Sequence, residues 1–319
     1  MENGNSYVLN KIKEEFLLSM PKRNRNLKIP NGISFTPNSN AVIMHLSSIA
    51  VSSNMQKDDG AFEGWALILK RWGKYDKIIL SWTKPLEEII INGHYQRFLF
   101  RLKQFSKDFN AWFFVDEKCQ ILLNDLRIKE EGLYLLNLPS IPRKDKGVKN
   151  KPEALLEDEF VNGKYRERLQ NITGAMELHR QLPVGVFNKS ISKENSIFTG
   201  GGSAIDIWGI NNSNELLVFE LKEVANEKVG IISELYFYIT VLQCLRNKKF
   251  KYENCNQLNR HLLRIPDTKK INAYFLARKL HPLIDIETIK TLNEATLPEV
   301  CFHFIQIEEN YELSINSSN

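Results

Sequence analysis

Apolar residues in this chain fall into short blocks whose spacing switches between strand-like and helical. In the first half, AVIMHLSSIAV (41–51) reads as a strand and FEGWALILKRW (62–72) places bulky residues at helical spacing. KIILSW (77–82) is a short buried strand and HYQRFLFRLKQF (94–105) an amphipathic helix. AWFFV (111–115) and LYLLNL (133–138) read as further strands. Strand–helix–strand alternation predicts a small α/β domain with some parallel pairing.

The run SIPRKDKGVKNKP (140–152) carries two prolines, five Lys/Arg and few apolar residues, which suits an exposed connector. It divides the chain into an expected domain at 1–145 and a second at 150–319. PEALLEDEFVNGKYRERLQNI (152–172) is helical with a break at Asn162-Gly163, and ELHRQLPVGVF (177–187) is extended. SAIDIWGI (203–210) and ELLVFELK (215–222) read as strands joined by a tight turn at NNSN (211–214). A long, weakly polar helix follows at 228–245, then strands at INAYFLA (271–277) and VCFHFIQI (300–307).

Composition narrows the field. Of 319 residues, 43% are hydrophobic and 25% charged, an ordinary globular balance. No stretch approaches the roughly 20 apolar residues of a membrane-spanning helix, so no membrane role is expected. MENGNSYVLNKIKEEF lacks the basic-then-apolar order of a signal peptide, which predicts a cytoplasmic protein. The four cysteines form no CxxC pair, so neither a disulfide framework nor a zinc module is expected. Net charge is +5, and its distribution says more: ten basic residues lie between Arg246 and Lys279, opposed only by Glu253 and Asp267. Such a run is either a solvated face or a polyanion-binding one.

The chemistry gathers on two strands. Side chains alternate along a strand, so Glu220 and Lys222 share one face of ELLVFELK, and an antiparallel turn can bring Asp206 beside Glu220. Two carboxylates and an amine would then meet at the edge of an apolar sheet. Burying them costs several kcal/mol unless the charges are compensated. A divalent cation between Asp206 and Glu220 would compensate, and Mg²⁺ favours such oxygen ligands. A second ExK-like triplet, Asp116-Glu117-Lys118, lacks a partner acid on a hairpin strand and reads as a surface turn. Gly200-Gly201-Gly202 precedes a strand rather than a helix, so it reads as a loop at the site rim and not a phosphate cradle. His179 is assigned no role.

Asp206, thirteen further residues and then Glu220-Leu221-Lys222, set in AIDIWGINNSNELLVFELK, resembles the PD-(D/E)xK nuclease superfamily. The likeness covers roughly residues 150 to 280. It implies a restriction-endonuclease-like core in the C-terminal half, within an α/β fold that begins with a smaller α/β domain. It also implies Asp206, Glu220 and the backbone carbonyl of Leu221 as ligands of Mg²⁺, or Mn²⁺, with Lys222 as the catalytic amine. Ile205 stands where the family motif has proline. The family's first helix often adds a glutamate, for which Glu167 is the first choice and Glu159 the second. Glu234, among apolar neighbours in the later helix, is expected to face Lys222 or the metal. Lys248, Lys249, Lys251, Arg260 and Arg264 are expected to flank the catalytic edge and contact nucleic-acid phosphates. The expected activity is metal-dependent hydrolysis of nucleic acid, DNA favoured, with a homodimer among the assemblies allowed. The alternative is an inactive nuclease-like domain that binds nucleic acid or a protein.

Overall fold

The computed structural model describes residues 4–19, 27–139, 152–199, 203–223 and 228–316. The fold is mixed α/β. The expected connector up to residue 151 and the triple glycine lie outside the described residues, while Pro152 opens a helix. The chain divides into two compact units: Met1–Lys129 with Lys228–Glu234 and His281–Ala295, and Glu130–Glu227 with Leu235–Leu280 and Thr296–Asn319. The division therefore falls at Lys129, ahead of the proline-rich connector, and the first unit also takes in two later segments. Among the described residues, no helix is long and apolar enough to cross a membrane.

The first unit holds a four-stranded sheet of β1 (Ile33–Asn38), β2 (Ala41–Leu46), β3 (Lys77–Trp82) and β4 (Phe113–Val115), in that order. β1 and β2 form an antiparallel hairpin, while β2, β3 and β4 run parallel. Parallel neighbours need crossovers, supplied by the helices Phe62–Arg71 and Gly93–Asp108. Alternate residues face the core: Val42, Met44 and Leu46 on β2, and Ile78, Leu80 and Trp82 on β3. Phe62 sits at the centre, 5.5 Å from Phe98 and 5.6 Å from Phe105, ring centre to ring centre. Asp116 caps a short surface helix, its carboxylate accepting from the Lys118 amide at 3.0 Å. That is the surface-turn role its sequence implies.

The second unit contains β5 (Tyr134–Leu136), β6 (Ala175–Pro183), β7 (Val186–Asn188), β8 (Ala204–Asn211), β9 (Leu216–Lys222), β10 (Phe250–Tyr252), β11 (Ile271–Ala277), β12 (Val300–Ile307) and β13 (Leu313–Asn316). Six of these form one sheet in the order β13-β12-β11-β9-β8-β6. β6, β8 and β9 are antiparallel, β9, β11 and β12 are parallel, and β13 closes the far edge antiparallel. The helix Gly230–Arg246 lies between β9 and β11 in the chain and makes their crossover. β5, expected in the first domain, instead joins β10 and β7 in a small sheet of the second unit.

Two helices, Pro152–Val161 and Arg166–Thr173, flank the break expected at Asn162-Gly163. Leu156 and Phe160 from the first, and Leu169 from the second, pack on Ile207, Leu217, Phe219 and Leu221. These are the odd-numbered positions of β8 and β9. The even-numbered positions, Asp206, Glu220 and Lys222, therefore take the opposite side of the strands.

Candidate active site

The β8–β9 hairpin sets the site. Ile207 pairs with Phe219 and Trp208 with Val218, so the next step along each strand brings Asp206 opposite Glu220. There the regular ladder ends. The Leu221 amide donates instead to Asp206 Oδ2 at 2.9 Å, which fixes this carboxylate against β9. A residue's N–H and C=O lie on the same side of an antiparallel strand, so the Leu221 carbonyl also faces the gap that Asp206 occupies.

Glu220 is almost fully buried, at 1% exposure. A buried carboxylate needs a nearby cation, and Lys222 provides it: its Nζ donates to Glu220 Oε1. The same ammonium stands 3.6 Å from Glu153 Oε1. Glu153 lies in the first turn of the helix Pro152–Val161, whose Leu156 and Phe160 are anchored on β8 and β9. One turn later, Glu157 is 4% exposed and accepts from Gln181 Nε2 at 2.7 Å and Arg180 Nη2 at 3.2 Å. Burial pushes the Glu157 carboxyl above its ordinary value, while Gln181 and Arg180 pull it back. Arg180 also ties the helix down through Asp158 Oδ1 (2.8 Å) and the Ala154 carbonyl (2.9 Å). Gln181 lies in β6 between residues paired with Ile207 and Ile205, which puts it alongside Asp206. Its φ of 54° is unusual for a residue with a side chain.

The structure thus brings together Asp206, Glu220 and Lys222, as the strand period predicts, and adds Glu153. Several other expectations need correction. Glu167 is exposed, and Glu159 accepts from the Lys164 amide at 3.0 Å, closing the end of its own helix. The first-helix acid beside the lysine is Glu153. Glu234 falls in the first unit, where its carboxylate accepts from Gln56 Nε2. Lys248, Lys249 and Lys251 do not flank this edge either. The helix Gly230–Arg246 runs back along the sheet, so its C-terminal end meets the start of β11. There Arg246 donates to the carbonyls of Thr268 and Lys269, and the Lys269 amide donates to Asn214 in the β8–β9 turn. Lys248, Lys249 and Lys251 follow directly, at the end of β9 opposite Lys222. Lys251 is paired with Glu253 and Arg264 with Glu177, while Lys248 and Arg260 are exposed.

Glu153, Glu157, Arg180 and Gln181 were missed by the sequence reading. The four-residue spacing of the two glutamates, which puts them on one helix face, is the signal that was available.

The oxygen donors at hand are the Asp206 and Glu220 carboxylates and the Leu221 carbonyl, the hard set that suits Mg²⁺. Two carboxylates are enough for that ion, which keeps several waters. Among the described residues, no three His, Cys, Asp or Glu side chains converge to hold a metal by themselves. No protein-family model, curated protein or solved structure matches the chain.

Proposed function

We propose that the second unit is a Mg²⁺-dependent nuclease with a restriction-endonuclease-like core, cutting phosphodiester bonds of nucleic acid, DNA by preference. The observation that carries this reading is the meeting of Asp206, Glu220 and Lys222 at one strand edge, with Glu153 on the far side of the ammonium. The order of three antiparallel strands, a crossover helix and a parallel strand supports it, because that is the core the resemblance implies.

In this reading Asp206, Glu220 and the Leu221 carbonyl hold Mg²⁺, with Mn²⁺ as a substitute. When bound, the cation supplies Lewis acidity toward a phosphoryl oxygen. Lys222 Nζ, steered by Glu220 and Glu153, orients the attacking water and places positive charge beside the oxygens of the pentavalent phosphorus. Water oxygen bonds to phosphorus as it gives up a proton to solvent, and the P–O3′ bond breaks with O3′ taking a proton from solvent, leaving a 3′-hydroxyl and a 5′-phosphate. Gln181 and Arg180 hold the first helix in register through Glu157, and so keep Glu153 at the ammonium.

Calorimetric titration with Mn²⁺ tests the metal site. The wild-type chain should show a binding isotherm that Asp206→Ala loses. A second reading, an inactive domain of the same fold, has one observation in its favour: Lys222 already bridges Glu220 and Glu153, which compensates the carboxylates without a cation. Equal signals from both proteins would favour that reading.

A further inference from the structure

An open cleft of about 790 Å³ runs along β6, the edge strand of the six-stranded sheet. A nucleotide fits easily in a space of this size. Its wall is a stack of rings. His179 lies opposite Trp208 in the β6–β8 pairing, with ring centres 4.6 Å apart. His261, from the segment Gln257–Asp267, lies over His179 at 4.4 Å, with ring planes within 9° of parallel. Trp208 is buried, whereas both imidazoles are partly open to solvent. Burial holds both imidazoles below their ordinary pKa, so at neutral pH the stack is an uncharged flat surface.

The cleft also carries polar edges. Arg180, Gln181, Asn162 and Asn259 line it, and the same cleft reaches Ala204, two residues before Asp206. A flat, uncharged platform with amides around it, lined by Ala204 and Trp208 on either side of Asp206 in β8, matches one chemistry well. A planar heterocycle stacks on the rings and offers its edge to the amides, while its phosphate extends toward Asp206.

We propose that this cleft binds a nucleobase, the base lying over His261 and His179 beside the phosphate to be cut. The inference rests on the nuclease reading and narrows its substrate to single-stranded or locally unpaired nucleic acid, since a base already stacked within a duplex cannot enter a side cleft. His261 is the platform residue and Asn259 the candidate for reading the base edge.

The test is fluorescence anisotropy of a labelled oligothymidylate bound to the full chain in EDTA, where nothing is cut. His261→Ala should weaken binding about tenfold, the worth of one base–ring stack. His261→Phe, which restores a flat ring, should bind within about twofold of wild type. An abasic strand of equal length and charge should bind wild type and His261→Ala alike. The proposal is overturned if His261→Ala binds oligothymidylate as tightly as wild type does. It is equally overturned if the variant loses the natural and abasic strands in the same proportion, or if wild type binds neither. Because the assay omits metal, a chain that stacks bases but never cleaves would sink the catalytic reading alone.

Discussion

In the first unit, Glu63 is fully buried and Arg101 is 2% exposed. The Arg101 guanidinium donates to Glu63 Oε2 and to the Gly60 carbonyl, and the Ser233 hydroxyl donates to the same Glu63 oxygen at 2.6 Å. Replacing Arg101 with Met removes the cation from a carboxylate with no access to water. Breaking a buried pair this way costs about 3–5 kcal/mol. With an m-value of about 2–3 kcal/mol per molar, the urea midpoint of this unit should fall by roughly 1–2 M. The double variant Glu63→Leu/Arg101→Met removes both charges and should recover most of the loss. The pH dependence has a definite sign. Burial already raises the Glu63 carboxyl above its ordinary value, against the pull of Arg101 and Ser233. A raised folded-state pKa means that the folded chain holds the proton more tightly, so stability falls as pH rises from the unfolded value through the folded one. Arg101→Met lifts the folded value further. Its penalty should therefore be largest at neutral pH and shrink toward about pH 4, where an unfolded glutamate is itself protonated. A loss under about 1 kcal/mol, or one equal at both pH values, would refute the reasoning.

Two further substitutions probe the second unit. A β-carbon at Gly209 would lie 2.2 Å from the Glu177 carbonyl oxygen, a backbone atom. Gly209→Ala should thus cost about 1–3 kcal/mol in urea unfolding, and a neutral result would show that β6 can move aside. Arg180→Met removes the guanidinium that joins Glu157, Asp158 and the Ala154 carbonyl. It should loosen the helix Pro152–Val161, read as at least tenfold faster amide exchange over residues 152–161, whereas exchange in β11 should not change.

What could be read in advance follows from the range of each signal. Asp206, Glu220 and Lys222 were legible because a short hairpin and a two-residue period fix their relations over a few positions. The two parallel strands after the crossover followed from the length and apolarity of their blocks. Glu153 was not legible: which acid of a helix reaches a strand end depends on where the helix lies across the sheet, and Leu156 and Phe160 decide that through tertiary packing. For Glu234, apolar neighbours correctly implied burial, whereas its hydrogen bond with Gln56, 178 residues away in sequence, had no local signal. The basic run was recognised as a run, yet its place depended on direction. A crossover helix between parallel strands ends at the edge where the second strand begins, so Lys248, Lys249 and Lys251 lie at the end of β9 away from Lys222.

Cleavage of supercoiled plasmid in Mg²⁺ tests the central claim most directly, comparing wild type with Lys222→Ala and with the exposed-site control Glu167→Ala. The account predicts metal-dependent nicking that Lys222→Ala abolishes, that Glu167→Ala retains and that EDTA stops. Nicking by Lys222→Ala at the wild-type rate, or the same rate in EDTA as in Mg²⁺, would contradict it.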